Sequence, residues 1–315
     1  MLGKLIGWIL SILKKLFGGG DIESPPVSSG NDENEGVTIV TAPEQRVKKA
    51  LIVGINNCGL PGADLNGCVN DAEMVWKLLT EMYGFDPDNI RVVTDERAGK
   101  YEILKRLGWL FEGVKAGDEL VYHHSGHGSQ MRDRDGDELD DQKDELLIAY
   151  GHSWDDPLLD DDIAIAFKNL PEGVSLTMLC DTCHSGSISR ELFGNPVEWK
   201  PKFLPPPFDI AARSLGRALP VKHVGAKDKA PDTQRHILLS GCRDDQTSAD
   251  AVIDGKWGGA LTVTLVKVLR DCPDWDWVHI HEEVLKRLSA QGFSQIPQLS
   301  GMAALRERVP FGGPK

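Results

Sequence analysis

The chain has 315 residues, of which 41% are hydrophobic and 26% are charged, and its formal net charge is −13. This composition is typical of a soluble globular protein that is long enough to bury a sizeable core. The acidic balance argues against a nucleic-acid-binding protein, because such a protein needs a basic surface to neutralise phosphates. It is compatible with a basic substrate.

Residues 1–20 form a separate segment that predicts an amphipathic helix. Lys4, Lys14 and Lys15 share a polar stripe, and Leu, Ile, Trp and Phe fill the remaining positions. The segment is too short and too charged to span a bilayer. We expect it to lie on a membrane surface or to dock a partner protein, and a secretory signal is the third alternative. Residues 21–46 are rich in Ser, Pro, Asn, Asp and Glu, which predicts a flexible tether.

The folded body is predicted to begin at residue 47, where short apolar runs start to alternate with amphipathic segments. Strands are predicted at residues 50–55, 90–93, 119–124, 175–180 and 236–240, with an edge strand at 146–150. Helices are predicted at residues 70–83, 101–114, 161–168, 259–270 and 277–290. This alternation predicts an α/β fold in which helices cover both faces of a mostly parallel sheet. Residues 188–234 are rich in proline and predict an irregular linker between a larger region at 47–187 and a smaller one at 235–315.

Cysteine usage and local charge add two further expectations. The six cysteines are dispersed along the chain, which predicts reduced thiols and a cytoplasmic location, with peripheral membrane association through the first helix. Residues 132–162 contain thirteen Asp and Glu against three Lys and Arg. Such a run predicts either a solvated surface or a cation site.

Two predicted strands end in residues that suit thiol chemistry. One runs into His124-Ser125-Gly126-His127-Gly128, and the other runs into Asp181-Thr182-Cys183-His184. Active sites of parallel sheets lie beyond the carboxyl ends of the strands, so a Cys and a His on separate strands can meet there. A thiol becomes an effective nucleophile when an imidazole is close by. We therefore predict Cys183 as the nucleophile and His127 as its base, with the backbone N–H groups of Gly128 and Cys183 as the oxyanion hole.

These two motifs resemble the paired signature of metacaspases, the caspase-like cysteine peptidases. The segments at residues 67–72, 135–138, 144–145, 240–250 and 295–299 also resemble the family, so the similarity covers about residues 48–305. The resemblance implies a caspase-like three-layer sandwich and a monomeric endopeptidase that cleaves after Arg or Lys.

The resemblance also implies which residues bind the substrate and a metal ion. Asp71 and Asp181 match the family's acidic pocket, with Cys68 and Ser125 lining it. A simpler interpretation of Asp71 is a charge that complements a helix dipole. The matching positions for calcium are Asp144, Asp160, Asp161 and, less closely, Glu145. The chain departs from the family after that Asp pair, where it has Asp162-Ile163-Ala164.

Self-cleavage of a zymogen is a further expectation. Basic residues that could precede the cut in the linker are Arg190, Lys200, Lys202, Arg213, Arg217, Lys222, Lys227 and Lys229. Arg46, Lys48 and Lys49 offer a second set of sites near the tether, where a cut would release the body from the first helix.

Several alternatives remain open from the sequence. One is a catalytically silent caspase-like scaffold, and another is a gingipain- or legumain-like peptidase of the same clan. A redox pair of Cys180 and Cys183 would leave the His-Gly segment unexplained. Zinc bound by those cysteines with His124 and His127 would lack the usual second Cys pair.

Overall fold

The computed structural model describes residues 46–132, 143–167, 170–184, 198–215, 234–243 and 245–315, all of which belong to one compact unit, Arg46–Lys315. The predicted first helix and most of the tether lie outside the described residues. Within these ranges, no helix is long and apolar enough to cross a membrane.

The structure contains twelve described strands and seven described α-helices in mixed order. The strands are β1 (Lys48–Gly54), β2 (Ile90–Thr94), β3 (Glu119–Ser125), β4 (Gly128–Arg132), β5 (Lys143–Leu147), β6 (Leu158–Leu159), β7 (Ser175–Asp181), β8 (Trp199–Pro201), β9 (Ile237–Ser240), β10 (Ala249–Ile253), β11 (Lys256–Gly259) and β12 (Gln298–Ser300). The helices are α1 (Cys68–Glu81), α2 (Lys100–Phe111), α3 (Asp160–Phe167), α4 (Phe208–Leu215), α5 (Ala260–Asp271), α6 (Trp277–Ala290) and α7 (Ala303–Arg306).

Six strands form the central sheet, in the order β12-β9-β7-β3-β1-β2. All neighbouring pairs are parallel except β12 with β9. Strands β1, β3 and β7 are buried along almost their whole length, which explains why each is a continuous apolar run rather than an alternating one. The predicted mostly parallel sheet is confirmed.

Helices cover both faces of this sheet and bury a separate apolar cluster on each. One cluster joins the sheet to α1, α5 and α6 through residues such as Leu79, Leu265 and Ile280. The other joins it to α2 and α3 through residues such as Leu107 and Phe167. The result is the predicted three-layer sandwich, in which the first turns of α1 and α5 contact the carboxyl ends of β3 and β7.

The start of α1 is tied to the end of β1. The Asn56 side-chain oxygen accepts hydrogen bonds from the backbone N–H groups of Cys68 at 2.8 Å and Val69 at 3.3 Å. These are donors that the first turn of a helix cannot satisfy internally. This contact holds the first turn of α1, which carries Asp71, beside the carboxyl end of β1.

Two small antiparallel sheets depart from the sequence-based predictions. The predicted edge strand at 146–150 overlaps β5 only at Leu146 and Leu147, and β5 pairs with β4 and β6 outside the central sheet. The stretch predicted to be an irregular linker contains β8 and α4, and β8 joins β10 and β11 in a second small sheet. Strand β8 consists of Trp199, Lys200 and Pro201, which have no strand pattern of their own. Its pairing with the distant strand β10 stabilises it.

Candidate active site

Parallel pairing of β3 with β7 brings the segments that carry Cys183 and His127 to the same edge of the sheet. Ser125 is opposite Asp181 at the ends of these strands, and His127 and Cys183 each follow two residues later. Gly128 packs directly on the backbone of Cys183, because a Cβ atom at Gly128 would lie 2.2 Å from the Cys183 carbonyl oxygen. Only glycine allows this close approach.

The hydrogen bonding of His127 identifies its basic nitrogen. Nε2 lies 2.7 Å from the Ala63 carbonyl oxygen, which can only accept a hydrogen bond, so Nε2 carries the proton. Nδ1 is buried and has no hydrogen-bond partner within the described residues. Burial lowers the pKa of His127, and backbone contacts with Ala63 and Lys202 only partly oppose this shift. The ring is therefore neutral near pH 7, with Nδ1 available to accept a proton.

The Cys183 thiol is fully buried and donates a hydrogen bond to the Gln246 carbonyl oxygen at 2.8 Å. Cys242 directs its thiol to the same oxygen at 3.3 Å. All six cysteines of the chain lie within the described residues, and none forms a disulfide. The Cys183 sulfur is thus reduced and is held by a neutral acceptor.

The predicted substrate pocket is assembled from three different parts of the chain. Asp71 comes from α1, Ser125 and Asp181 end β3 and β7, and Cys68 begins α1. Ser125 Oγ donates to Asp71 Oδ2 at 2.6 Å, and all four residues are fully buried or nearly so. The structure therefore brings these four residues together.

Further donors that the sequence analysis did not identify hold the two carboxylates. The Gly259 backbone N–H donates to both oxygens of Asp71, at 2.8 and 3.1 Å. Ser248 Oγ donates to Asp181 Oδ1 at 2.6 Å, while the N–H and hydroxyl of Thr262 donate to Oδ2 at 3.0 and 2.8 Å. Asp71 is thus part of a buried network, so the helix-dipole interpretation does not account for its surroundings. Gly259 and Thr262 lie at the start of α5, where no motif indicated a site.

A cation from the chain itself fills this pocket. Lys202 is fully buried, and its Nζ lies 3.2 Å from Asp71 Oδ2, 3.2 Å from Asp181 Oδ2 and 2.9 Å from Ser125 Oγ. The ammonium donates hydrogen bonds to Asp71 and Ser125 and forms an ion pair with Asp181. The sequence indicated Lys202 only as one of many basic residues in the linker.

The pKa values of these groups reflect their mutual attraction. Burial works against the Lys202 ammonium, but Asp181 and Asp71 outweigh it and raise the pKa of Lys202. Burial also opposes ionisation of Asp181, yet Lys202 and the hydrogen bonds from Ser248 and Thr262 outweigh it, so its pKa is lowered. Burial raises the pKa of Asp71 to about 6 in spite of Lys202. A positive side chain is therefore strongly favoured in this pocket.

The segment that carries Lys202 lies in the cleft as an extended strand. Residues of β8 pair with β10, and the Lys202 N–H donates to the Ser248 carbonyl at 2.9 Å. On its other side, the Gly128 N–H donates to the Lys202 carbonyl oxygen at 2.9 Å, and the Leu204 N–H donates to the Gly128 carbonyl at 2.9 Å. Peptides bind to many proteins by adding such a strand to an existing sheet. The Lys202 carbonyl oxygen thus accepts a hydrogen bond from the Gly128 N–H, which is one of the two predicted oxyanion-hole donors. The Lys202–Phe203 peptide bond therefore lies next to this donor.

The two other histidines of the motifs have different surroundings. Burial lowers the pKa of His124 to about 3, and its Nδ1 contacts the Tyr122 hydroxyl at 3.0 Å. Burial opposes protonation of His184, but Glu145 and other neighbours outweigh it and raise its pKa to about 10. Its Nε2 lies 3.7 Å from Glu145 Oε2. His184 is therefore a local cation that joins the end of β7 to β5.

The four predicted calcium ligands lie on two neighbouring elements. Asp144 and Glu145 are in β5, and Asp160 and Asp161 begin α3 directly after β6, whose Leu159 is opposite Leu146 of β5. Among the described residues, no group of three His, Cys, Asp or Glu side chains that could hold a metal ion is found. Residues 133–142 of the acidic loop lie outside the described residues, and the calcium site stays a prediction.

Several known proteins are similar to this chain in sequence. A family model described as "Metacaspase, peptidase C14 domain" matches residues 48–190. The Metacaspase-1 of Saccharomyces cerevisiae is 31% identical, over 84% of this chain and 68% of that protein. The Metacaspase-1 of Candida glabrata is 32% identical, over 84% of this chain and 75% of that protein.

A solved structure supports the fold. The crystal structure of a Geobacter sulfurreducens protein superposes with a TM-score of 0.61 at 24% identity, covering 84% of this chain and 98% of that one. The two yeast relatives and the family model together show that the chain belongs to the metacaspases, which are caspase-like cysteine peptidases.

Proposed function

We propose that this metacaspase cleaves peptide bonds after Lys or Arg, and that Lys202–Phe203 in its own chain is its first substrate. The observation that carries the proposal is the fully buried Lys202, whose ammonium contacts Asp71, Asp181 and Ser125. A pocket that holds a lysine through two carboxylates is suited to the same cation in another peptide. Caspase-like cleavage after Asp would bring a third negative charge into it.

The backbone of the internal segment supports the same proposal. The Lys202 carbonyl oxygen accepts a hydrogen bond from the Gly128 N–H, the donor that would stabilise a developing oxyanion. An extended chain with its basic side chain in the pocket and its carbonyl on this donor is arranged as a substrate. The segment also prevents other peptides from entering, so the uncut chain would be its own inhibitor.

The proposed reaction begins with movement of the Cys183 thiol away from Gln246. His127 Nδ1 takes the thiol proton, and the thiolate attacks the Lys202 carbonyl carbon, so the carbonyl oxygen becomes an oxyanion held by the Gly128 N–H. The C–N bond to Phe203 then breaks, and the Phe203 nitrogen takes the proton from His127. Water hydrolyses the thioester and returns the proton to the sulfur, leaving a carboxylate on Lys202.

Short fluorogenic peptides that end in Arg, Lys, Asp or Asn test the specificity. We expect hydrolysis of the Arg and Lys peptides only, and a loss of at least about 1,000-fold in Cys183→Ala. Cys272→Ala is the matched control, because this half-buried thiol follows α5 and should leave hydrolysis unchanged. Hydrolysis after Asp or Asn, or full activity of Cys183→Ala, would contradict the proposal.

Calcium activation stays a prediction from the family resemblance. The test is hydrolysis of the Arg peptide over a range of calcium concentrations, with magnesium at equal ionic strength as the control. Activation by calcium alone that is lost in Asp160→Asn would support a site at the acidic turn. Equal rates with both cations would contradict it.

A further inference from the structure

Asp250 of β10 is a buried carboxylate to which the proposed cleavage gives no role. It is fully buried, and its Oδ2 accepts hydrogen bonds from the backbone N–H groups of Asn66 at 2.6 Å and Gly67 at 3.2 Å. Its Oδ1 is equally buried but has no hydrogen-bond partner in the part of the chain that the structure describes. A buried acceptor without a donor costs about 1–3 kcal/mol, so this oxygen is expected to gain a partner in some functional state.

Strand pairing places Asp250 at the wall of the basic-residue pocket. It is directly opposite Gly259, whose N–H holds Asp71, and opposite Lys200 on the other side. A Cβ atom at Gly259 would lie 2.3 Å from Lys202 Nζ. Asp250 is therefore one strand away from the ammonium that fills the pocket.

The partnerless oxygen points to the loop that lines the same pocket. A Cβ atom at Gly67 would lie 2.2 Å from Asp250 Oδ1, and the next residue along the chain is Cys68. Burial is the largest influence on both neighbouring groups, since it lowers the pKa of Lys202 and raises that of Cys68. The Asp250 charge contributes to raising both pKa values. The carboxylate thus acts on the pocket electrostatically from the side of α1.

Lysine and arginine side chains differ in how many hydrogen-bond acceptors they can contact. Lysine offers three donors, and the Lys202 ammonium has three partners, with hydrogen bonds to Asp71 and Ser125 and an ion pair with Asp181. Arginine offers five donors on a planar guanidinium that is larger than an ammonium. An Arg in this pocket therefore has two donors more than the known partners of Lys202 require.

We infer that Asp250 is a specificity-determining residue of this pocket, where its Oδ1 accepts a hydrogen bond from the guanidinium of an Arg substrate and makes Arg preferred over Lys. This inference rests on the proposed cleavage after basic residues. It also explains why a lysine suits the internal segment, since Lys202 leaves one acceptor of the pocket unused and can be replaced by an incoming Arg.

The test compares two peptides that differ only in having Arg or Lys before the scissile bond, with the full self-cleaved protein. We expect the wild type to favour Arg by about tenfold in kcat/KM, the effect of one charged hydrogen bond. In Asp250→Asn, the carboxamide oxygen still accepts from Asn66 and Gly67, while its NH₂ replaces the Oδ1 acceptor. Hydrolysis of the Arg peptide should then fall about tenfold and that of the Lys peptide less than about threefold.

Two control variants separate a role in specificity from a role in structure. Asp254→Asn removes an exposed carboxylate near the end of β10, paired with Lys267, and should leave the Arg-to-Lys ratio unchanged. Asp71→Asn removes a partner that both cations share, and should lower both rates. An equal fall for both peptides in Asp250→Asn would show that Asp250 only supports the loop, and would overturn the inference.

If Asp250→Asn does not fold, the wild-type ratio of kcat/KM for the Arg peptide to that for the Lys peptide tests the inference. A preference for Arg of less than about threefold would then overturn the inference, because the extra acceptor would have no effect on binding. Failure of the wild type to cleave either peptide is a different result, since it would overturn the proposed function and this inference with it.

Discussion

At the scale of single residues, the ammonium of Lys202 compensates two buried carboxylates. Removing one member of a buried charge network leaves the others unpaired, which typically costs about 3–5 kcal/mol. We expect Lys202→Ala, made in a Cys183→Ala background to prevent cleavage, to lower the free energy of unfolding by that amount at pH 7. Lys200→Ala is the matched control, because Lys200 makes part-exposed contacts and should change stability by less than about 1 kcal/mol. Equal effects of the two substitutions in urea denaturation would contradict the role of Lys202.

Asp71 should make stability depend on pH in the opposite direction from an ordinary ion-paired carboxylate. Its pKa is raised from 3.8 to about 6, so the folded protein holds this proton more tightly than the unfolded chain does. The resulting stabilisation is complete below pH 4 and is lost as pH rises through 6. In the Cys183→Ala background, the free energy of unfolding should therefore fall between pH 4 and pH 7 relative to Asp71→Asn, by about 1–3 kcal/mol. A parallel pH dependence of the two proteins would contradict this assignment.

At the scale of elements, the turn between β3 and β4 brings the predicted base and oxyanion donor against the nucleophile. Gly128 cannot take a side chain, because its Cβ would lie 2.2 Å from the Cys183 carbonyl oxygen. We expect Gly128→Ala to destabilise the protein by at least about 2 kcal/mol and to abolish cleavage. Gly126→Ala in the same turn is the control, since its nearest contact would be an ordinary 3.5 Å from His124 Nε2. Similar thermal stability of the two variants would show that the turn adapts.

The central strands could be predicted from the sequence, whereas a strand of the second small sheet could not. Strands β1, β3 and β7 were predictable because both faces are buried and each is a continuous apolar run. The residues at their ends were predictable with them, since parallel strands carry their last residues to one edge. Strand β8 was not predictable, because its three half-buried residues are stabilised by β10, about fifty positions later.

The presence of Lys202 in the pocket of Asp71 and Asp181 could not be predicted from the sequence for the same reason. Lys202 was one of many basic residues in a proline-rich stretch, and only the long-range pairing of β8 selects it. Asp250 and Gly259 likewise reach the pocket through pairing of β10 with β11 rather than through a local motif.

At the scale of the whole molecule, the proposed cut falls between parts that share one sheet. Strand β9 pairs with β7 across the cut, and α5 and α6 pack in the same apolar cluster as α1. We therefore expect the two fragments of the cleaved protein to stay together, since separation would expose that cluster. Size-exclusion chromatography should give one peak at the size of the uncut chain, which divides into two only in denaturant. Two peaks under native conditions would contradict a shared core.

Self-cleavage at Lys202–Phe203 is tested most directly by the intact mass of the full-length protein after incubation. We expect two fragments, one ending at Lys202 and the other beginning at Phe203, in the wild type, in Lys202→Arg and in Lys200→Ala. We expect no cut at this bond in Cys183→Ala or in Lys202→Ala, the latter because no cation remains before the scissile bond. A wild-type chain that is cut only elsewhere, or a Lys202→Ala chain that is still cut at this bond, would show that Lys202 is a structural ion pair and not the enzyme's internal substrate.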